Sequence, residues 1–461
     1  MRRPGIEHVT AFLYSLKPRG IRFGLENTRL VLDKLGKPQD RMRIIHIAGT
    51  NGKGSTAAFA ESVLRQTGIR TGLYTSPHLH RFTERFRIDG IEASDEAVCE
   101  AFARLVVEGL EIDMDELLGW MDDVELVDKM KSETWYKLRG EASRFCRLTF
   151  FECTTVMAAL VFADAGVDVA IMEVGMGGRL DATNVFEPVV SVITPVSLEH
   201  TEWLGDTMEK IAAEKAGIIK NAVPVVCARQ FPPAQAVISR VAAEKGAPLF
   251  LQGRDFFCEG SSSAATFRIG QVELGSVELG LAGSHQVGNA ACALAALVFS
   301  GQSDLLPDKR SARRGLEGVC WPARFERFGP AGGWIVDSAH NPHGVKVLVD
   351  TFRERFDGLR VPVVFGVLGD KNAGPMVRAL ESVASRFELV TSRDARALDS
   401  KKLVSLCRAP ARWWGDVSGA LEKLAEEGHD RVIVCGSLTV AAEAREWLLQ
   451  RENAGEKRKI S

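Results

Sequence analysis

The chain has 461 residues, of which 46% are hydrophobic and 26% charged, and this is enough apolar sequence for two or three domains. Its 58 Lys and Arg residues nearly balance 60 Asp and Glu residues, so the net charge of -2 excludes a general attraction to nucleic acid or anionic membranes. Nine cysteines form no CxxC pair or metal-ligand spacing, and no apolar run approaches the length of a membrane span. The composition predicts a cytoplasmic protein that binds its ligands at local sites.

Short runs of β-branched residues alternate with helix-patterned segments, which is typical of a mainly parallel sheet covered by helices. The predicted strands of the first series lie at 43–48, 167–174, 189–194 and 223–228. A second series follows at 333–337, 361–368, 387–392 and 431–437. Because the stretch 299–312 is rich in polar, Gly and Pro residues, we place the boundary there. The predicted α/β chain therefore has a domain of residues 1–300 and a smaller domain of residues 301–461.

The first predicted strand leads into a Gly-rich turn and then a helix, which we expect to begin near Ser55 and Thr56. Glycines in the turn let backbone N–H groups surround phosphate oxygens, and Lys53 adds a positive charge. The spacing is not that of the common Walker A motif, since Gly54 follows the lysine. A structural tight turn is the simpler alternative, but all parts of a phosphate site occur in the required order. The predicted ATP-binding residues are Gly49, Thr50, Asn51, Gly52, Lys53, Gly54, Ser55 and Thr56.

Three candidate ligands for magnesium, which prefers hard oxygen atoms, follow separate predicted strands. Glu173 ends one apolar run, His200 follows the next strand, and Ser76 ends the segment after the phosphate-loop helix. Taken singly, they are better interpreted as a helix cap, a structural histidine and a turn residue. Their joint placement at strand ends favours a metal site. Lys215 lies in a helix-patterned segment, and composition alone predicts only a solvated helix lysine.

Motifs along nearly the whole chain resemble those of bacterial folylpolyglutamate and dihydrofolate synthases, members of the Mur ligase superfamily. The motifs before residue 230 are GTNGKGST (49–56), YTSPHL (74–79), LTFFECTT (148–155), EVGMGGRLDATN (173–184) and EHTEWLGDTMEKIAAEKAGIIK (199–220). The later motifs are HQVGN (285–289), WPARFE (321–326), DSAHNPH (337–343) and FGVLGDKN (365–372). The resemblance implies an N-terminal P-loop ATPase-like Mur ligase domain and a smaller C-terminal Rossmann-like α/β domain.

The resemblance also implies roles for individual positions. The implied metal ligands are Ser76, Glu173, His200 and Lys215, the last as a carbamate that supplies oxygens to a second magnesium ion. The implied catalytic residues are Lys215, Asp337 and His340. The nucleotide-binding residues implied beyond the phosphate loop are Asn289, Arg324 and Asp337. As plain structural residues, Asn289, Arg324, Asp337 and His340 would be a polar helix residue, a salt-bridge partner, a strand-end cap and a turn histidine.

The activity that the resemblance implies is an ATP-dependent, ADP-forming carboxylate–amine ligase. It would add L-glutamate to folates, and also to dihydropteroate, through an acyl-phosphate intermediate, with ATP and two Mg²⁺ ions as cofactors. We expect a monomer that binds small-molecule substrates and neither nucleic acid nor membrane. Two alternatives stay open, a Mur-type peptidoglycan-precursor ligase and a non-catalytic nucleotide-binding regulator. The first usually has an extra N-terminal domain, whereas here the phosphate loop begins at Gly49; the second would lack the metal-site and amine-site residues.

Three features depart from the family pattern. Ala323 stands where Gly is usual, and Glu199 stands where Asp is usual; we expect both exchanges to be conservative. The charged segment 110–146 is longer than in relatives. Because it lies between the motifs that frame the acceptor region, its extra residues would either build or block a second seat for a pterin.

Overall fold

A computed structural model describes residues 3–16, 24–121, 148–329 and 332–460. Of the segment 110–146, residues 122–146 lie outside these ranges, so its predicted effect on the acceptor region stays a prediction. The chain divides into two compact units. Unit 1 comprises Met1–Glu259, Ala265–Val277 and Gly288–Gly318, and unit 2 comprises Gly260–Ala264, Glu278–Val287 and Val319–Ser461. Residues 301–318 thus pack with unit 1, while the functional boundary at residue 300 stays a prediction.

The helices of the described residues cover the sheets of both units. They are α1 (Ile6–Leu16), α2 (Glu26–Lys34), α3 (Lys53–Gln66), α4 (Asp95–Arg104), α5 (Met114–Met121), α6 (Phe150–Asp164), α7 (Thr201–Leu204), α8 (Met208–Ala216), α9 (Pro232–Glu244), α10 (His285–Phe299), α11 (Lys309–Gly318), α12 (Pro342–Arg355), α13 (Ala373–Leu380), α14 (Val417–Glu426) and α15 (Leu438–Ile460). Within the described ranges, none of these helices combines the length and the apolar character needed to cross a membrane.

Unit 1 is built on an eight-stranded sheet. Its strands are β1 (Arg43–Ala48), β2 (Thr71–Tyr74), β3 (Phe86–Ile88), β4 (Ile91–Glu92), β5 (Val169–Glu173), β6 (Val190–Ile193), β7 (Val225–Cys227) and β8 (Leu249–Leu251). The order is β4-β3-β2-β5-β1-β6-β7-β8. The six strands β2, β5, β1, β6, β7 and β8 are parallel, whereas β3 pairs antiparallel with both β2 and β4. The four strands predicted in the first half are confirmed. Their β-branched runs are buried, as expected for a parallel sheet covered on both faces.

The strand register brings the predicted site segments to one edge of this sheet. Strand β1 lies between β5 and β6, and its Ile47 pairs with Glu173 on one side and Val192 on the other. Because parallel strands end at the same edge, the segments that follow β2, β5, β1 and β6 meet there. Those segments carry Ser76, Glu173 itself, the phosphate loop and His200.

A three-stranded antiparallel sheet follows, with β9 (Phe256–Ser261), β10 (Ala264–Ile269) and β11 (Val272–Val277). Helix α11 packs against α3, the helix that begins at the phosphate loop. A Cβ added to Gly315 would lie 2.4 Å from the Val63 Cα, and the Ser62 hydroxyl donates to the Gly315 carbonyl. The glycine in α11 therefore allows the two helix backbones to approach closely.

Unit 2 contains a six-stranded sheet of order β12-β13-β17-β14-β15-β16. Its strands are β12 (Glu326–Phe328), β13 (Trp334–Val336), β14 (Val361–Phe365), β15 (Ala384–Val390), β16 (Ala411–Trp414) and β17 (Val432–Cys435). Only β12 is antiparallel, and the apolar side chains of β14, β15 and α12 form the centre of the core. The predicted fold class, a mainly parallel α/β sheet followed by a second and smaller α/β sheet, is confirmed.

Candidate active site

The phosphate loop connects β1 to α3 through two glycines with positive φ. Gly49 has φ +148° and Gly52 has φ +88°, a backbone conformation that favours glycine. A Cβ at Gly49 would lie only 1.8 Å from the Thr194 Oγ1, so no side chain fits there. Helix α3 begins at Lys53, two residues earlier than predicted, because Gly52 itself occupies the N-cap position in a left-handed conformation.

Hydrogen bonds tie the loop to the segment that follows β6. The Thr50 amide donates to the Pro195 carbonyl at 3.0 Å, and the Asn51 amide donates to the same oxygen at 3.3 Å. The Thr50 hydroxyl donates to the Ser197 carbonyl and accepts from the Ser197 amide, both at 3.1 Å. The conformation of the loop is therefore set by the neighbouring strand end, which also leads to His200.

Two lysine side chains converge on one carbonyl oxygen of this loop. The Gly49 oxygen accepts from Lys53 Nζ at 3.1 Å and from Lys215 Nζ at 2.7 Å. Lys215 is only 3% exposed. Burial and, secondarily, the nearby Lys53 lower the pKa of Lys215 to about 7, against opposing effects of Glu199 and Asp181. The interpretation of Lys215 as a solvated lysine is therefore wrong, because α8 directs the side chain into the sheet edge.

The glycine-rich turn after β5 holds α8 in place. A Cβ at Gly178 would lie 2.7 Å from the Glu214 carbonyl oxygen and 2.9 Å from that of Lys215. The Arg179 amide donates to the Glu214 carbonyl at 2.8 Å, and the Arg179 guanidinium pairs with the Glu214 carboxylate at 2.9 Å. The close packing of this turn fixes the helix that delivers Lys215 to the phosphate loop.

Two further residues of the loop region suit a bound phosphate. The Thr56 side chain is buried in the first turn of α3, and its hydroxyl finds no hydrogen-bond partner among the described residues. Asn289 of α10 packs directly on Gly52, since a Cβ at Gly52 would lie 2.4 Å from the Asn289 Oδ1. A cradle of glycine backbone, two ammonium groups and an unbonded hydroxyl fits the phosphates of a nucleotide.

The candidate magnesium ligands are only partly assembled by protein contacts. The buried Glu173 carboxylate accepts from the Ser76 amide at 3.1 Å, which brings these two residues together. His200 is exposed, has φ +51° and occupies the N-cap position of the four-residue helix α7 without a side-chain capping hydrogen bond. Within the described ranges, no three His, Cys, Asp or Glu side chains are grouped to hold a metal ion. Ser76 and Glu173 suit magnesium bound together with phosphate and water, which needs few protein ligands.

In unit 2, Asp337 follows β13 and connects two loops. Its Oδ2 accepts from the Phe325 amide and its Oδ1 from the Ala339 amide, both at 2.8 Å. Burial raises the pKa of the Asp337 carboxyl, and the Arg324 charge and these two amides oppose that rise. The carboxylate therefore braces the WPARFE and DSAHNPH motifs against each other.

His340 and Arg324 lie beside this brace. The His340 Nδ1 is 2.9 Å from the Ser338 carbonyl oxygen, which can only accept, so Nδ1 carries a proton; in the neutral form of the ring, Nε2 is then an acceptor. Arg324 lies between Ala323 at φ +53° and Phe325 at φ +47°. Ala323 is thus in a left-handed conformation that costs a non-glycine residue about 1 kcal/mol, which is the physical reason for the usual glycine.

Comparison with known proteins decides the family. Residues 144–297 match the Mur ligase middle domain and residues 323–438 the Mur ligase glutamate ligase domain. A Bacillus subtilis dihydrofolate synthase/folylpolyglutamate synthase is 33% identical over 440 residues, covering 93% of this chain and 96% of its own length. The chain belongs to the folylpolyglutamate synthase/dihydrofolate synthase family of Mur ligases.

Solved structures of the family share the whole fold. Escherichia coli FolC in complex with DHPP and ADP has a TM-score of 0.82 and 31% identity, with 97% of this chain and 99% of that chain covered. The bifunctional enzyme of Yersinia pestis complexed with AMPPNP and Mn ion has a TM-score of 0.80 and 30% identity, with 96% and 97% covered. Membership in this family confirms the predicted enzyme class, an ATP-dependent Mur-type ligase.

The sequence analysis missed a group of polar residues within the family motif YTSPHL and its surroundings. The Tyr14 hydroxyl lies 3.0 Å from His78 Nε2, and Arg85 Nε donates to His78 Nδ1 at 2.8 Å. It also missed His285 of the HQVGN motif, where burial, followed by Arg324 and His343, lowers the pKa to about 4. His78 was visible in the sequence as a polar residue in a motif, but Arg85 lies six residues beyond that motif and Tyr14 is 64 positions away from His78.

Proposed function

We propose that this enzyme adds L-glutamate to folates in an ATP-dependent reaction, and that it also accepts dihydropteroate. The observation that carries the proposal is the convergence of the Lys53 and Lys215 side chains on the Gly49 carbonyl of a glycine-rich loop. Lys53 supplies positive charge to a polyanion such as the triphosphate of ATP, and the amine of Lys215 lies beside it. The full-length similarity to folate ligases supports folates as the acceptors.

The reaction is proposed to run in two steps with balanced chemistry. An oxygen of the acceptor carboxylate attacks the γ phosphorus of ATP, so that an acyl phosphate forms and ADP leaves. The amine of glutamate then attacks the acyl carbon, releasing phosphate and a proton and forming the amide. Lys53 and the N–H groups of the loop hold the phosphates in line, and this positioning supplies most of the rate enhancement.

A divalent cation, proposed to be Mg²⁺, supplies charge neutralisation at the transferred phosphate when bound. Ser76 and Glu173 are proposed to hold it, with His200 at the same sheet edge, and Lys215 is proposed to hold a second ion. For that role Lys215 must carry a carbamate, which forms when its neutral amine adds to carbon dioxide and loses a proton. A pKa of about 7 leaves about half of the amine neutral at neutral pH, which favours this modification.

The other predicted site residues are proposed to act as follows. Asn289 and Arg324 bind the nucleotide, while Asp337 acts through the loops that its carboxylate braces. His340 is proposed as a reaction-centre residue whose Nε2 accepts a hydrogen bond. The enzyme is proposed to work as a monomer in the cytoplasm on small molecules alone. The cysteines of the described ranges form no disulfide, in keeping with a reducing compartment.

A coupled assay of ADP release tests the proposal. Tetrahydrofolate and dihydropteroate are each supplied with ATP and Mg²⁺, with and without L-glutamate. We expect ADP release that depends on both acceptor and glutamate. Release with tetrahydrofolate but none with dihydropteroate would restrict the enzyme to folylpolyglutamate synthesis. Release only with a peptidoglycan precursor, or with no acceptor, would refute the folate function.

A further inference from the structure

A relay of three side chains lies beside Ser76 in unit 1. Arg85, at the end of a short 3-10 helix before β3, donates from Nε to His78 Nδ1 at 2.8 Å. On the other side of the ring, His78 Nε2 is 3.0 Å from the hydroxyl of Tyr14 on α1. The order of the relay is therefore Arg85, His78, Tyr14.

The donor at one end determines the direction of the whole relay. A guanidinium group has only N–H donors, so His78 Nδ1 must accept and the proton of the neutral ring must lie on Nε2. The Nε2–H group then donates to the Tyr14 oxygen. Because that oxygen receives a hydrogen bond from His78, the hydroxyl hydrogen of Tyr14 points away from the imidazole. Arg85 thus makes Tyr14 a hydrogen-bond donor toward its other side.

Arg85 is only 5% exposed, which is rare for an arginine. Its Nη1 is buried without a hydrogen-bond partner among the described residues. Its guanidinium instead lies over the Phe150 ring, 5.1 Å from the centroid. Burial lowers the pKa of Arg85, and the neighbouring Tyr74, Tyr14 and Glu173 oppose that effect only in part, so the buried guanidinium costs stability.

The loop that carries His78 is held on both sides. The Ser76 amide donates to Glu173, and the amides of Leu79 and His80 donate to the Glu84 carboxylate at 2.7 Å and 3.0 Å. The relay therefore has a fixed position beside the sheet edge of the phosphate loop.

The aromatic surroundings of the relay suit a flat acceptor. The Tyr14 ring stacks on Phe150, with centroids 5.9 Å apart, and lies 6.4 Å from the His78 ring. All three rings are partly exposed. Because the Ser76 amide connects this loop to Glu173 at the sheet edge, we expect the acceptor to bind along it, where aromatic faces and one oriented hydroxyl can contact it.

We infer that Tyr14 is a specificity residue that donates a hydrogen bond to an oxygen or ring nitrogen of the folate-type acceptor, and that Arg85 and His78 are positioning residues that orient this donor. The inference rests on the proposed folate function. It assigns no proton transfer to the relay, because the chemistry takes place at the acceptor carboxylate and the phosphate.

The first test removes one hydroxyl group. Tyr14→Phe keeps the ring stacking and should raise the KM for tetrahydrofolate about tenfold, while kcat and the KM for ATP stay within about twofold. Calorimetric titration of tetrahydrofolate should show the same loss of affinity. Ser15→Ala is the matched control, because it removes a hydroxyl from the same helix that donates to the Phe12 carbonyl, and it should leave the acceptor KM unchanged. An unchanged acceptor KM in Tyr14→Phe refutes the inference.

The second test asks whether Arg85 acts through Tyr14. Arg85→Met should raise the acceptor KM by a similar factor, and the Arg85→Met/Tyr14→Phe double variant should be no worse than the worse single variant. Multiplying effects would mean that Arg85 acts independently and would overturn the relay. Arg85→Lys, which can still donate to Nδ1, should restore part of the affinity.

A spectroscopic measurement is independent of turnover and of the acceptor. In ¹⁵N-histidine-labelled protein, the His78 signals, assigned with His78→Gln, should report the Nε2–H tautomer, and Tyr14→Phe should keep it. A Nδ1–H tautomer in the wild type would overturn the orientation argument even if folates are extended. Failure of the wild type to extend any folate would instead refute the proposed function.

Discussion

The two units differ in how the polar groups that follow a buried parallel strand are paired. In unit 1 the turn after β1 gathers two ammonium groups on the Gly49 carbonyl and leaves the Thr56 hydroxyl without a partner in the described structure. In unit 2 the residue after β13, Asp337, uses both carboxylate oxygens to accept backbone amides from two loops. Within the described ranges, the turn after β1 therefore has positively charged groups without an anionic partner, whereas the carboxylate after β13 is fully hydrogen-bonded within unit 2.

This difference separates residues that meet a ligand from residues that shape a loop. Excess positive charge at the unit 1 turn is unfavourable until an anion arrives, so its removal should affect ligand chemistry more than folding. A carboxylate that holds two amides at 2.8 Å is part of the folded framework, so its removal should affect stability as well. Four substitutions or pairs of substitutions test this distinction.

The largest expected effect is that of Lys215→Ala. Ligation should fall by about a thousandfold or more, while the free energy of unfolding changes by less than about 1 kcal/mol, because a buried lysine contributes little net stability. ADP-release kinetics and urea unfolding measure the two quantities. Lys215→Arg should not restore activity, since a guanidinium does not form a carbamate. An active Lys215→Arg enzyme would contradict the assigned role.

Next in size is the effect of a methyl group in the phosphate loop. Gly52→Ala combines a positive φ with a contact of 2.4 Å to Asn289 Oδ1, and we expect a loss of about 3 kcal/mol together with weaker ATP binding. Gly68→Ala is the matched control: its φ of +85° is similar, but nothing lies within 4 Å of the added Cβ. It should lose only about 1 kcal/mol and keep its ATP affinity. Equal losses would show that packing against Asn289 does not matter.

Asp337→Asn tests the brace in unit 2. An amide side chain can accept only one of the two backbone N–H groups and presents its own N–H to the other, so stability should fall by about 2 kcal/mol. Thermal unfolding measures this change, and ADP release should fall with it because the loops of Arg324 and His340 lose their common support. Full stability with lost activity would instead make Asp337 a ligand-contacting residue like those of unit 1.

The smallest effect concerns buried histidines, one in each unit. Burial lowers the pKa of His46 to about 3 and that of His285 to about 4, below the ordinary value of 6.5. Between pH 6.5 and 4 the unfolded chain therefore binds protons that the native protein does not, so stability falls as the pH falls. Each histidine should account for a loss of about 2 kcal/mol between pH 7 and pH 5.

Substitution separates the two histidines. His285→Gln should remove its share of the acid-induced loss, and His46→Gln should do the same in unit 1, as followed by denaturant unfolding at both pH values. An unchanged pH dependence in either variant would mean that the corresponding imidazole is protonated in the native protein.

The sequence by itself determined eight of the strands, the order of the motifs and the glycine-rich turn after β1. Continuous β-branched runs identify buried parallel strands, because both faces of such a strand need apolar side chains. The glycines and Lys53 form a local pattern whose function depends on close spacing, so it is readable without the fold. The strand pattern also predicted that Ser76, Glu173 and His200 lie at neighbouring strand ends, because parallel strands end at the same edge of a sheet.

Only the tertiary structure decided how contacts between residues distant in sequence affect ionisation and hydrogen-bond direction. Lys215 has the sequence context of a solvated helix lysine, yet it is buried against the carbonyl of Gly49, 166 positions away, and its pKa falls for that reason. The direction of the relay from Arg85 to Tyr14 likewise depends on which ring nitrogen meets which donor across 64 positions. Ionisation and hydrogen-bond direction depend on burial and on neighbours in space, and spacing along the chain does not encode either of them.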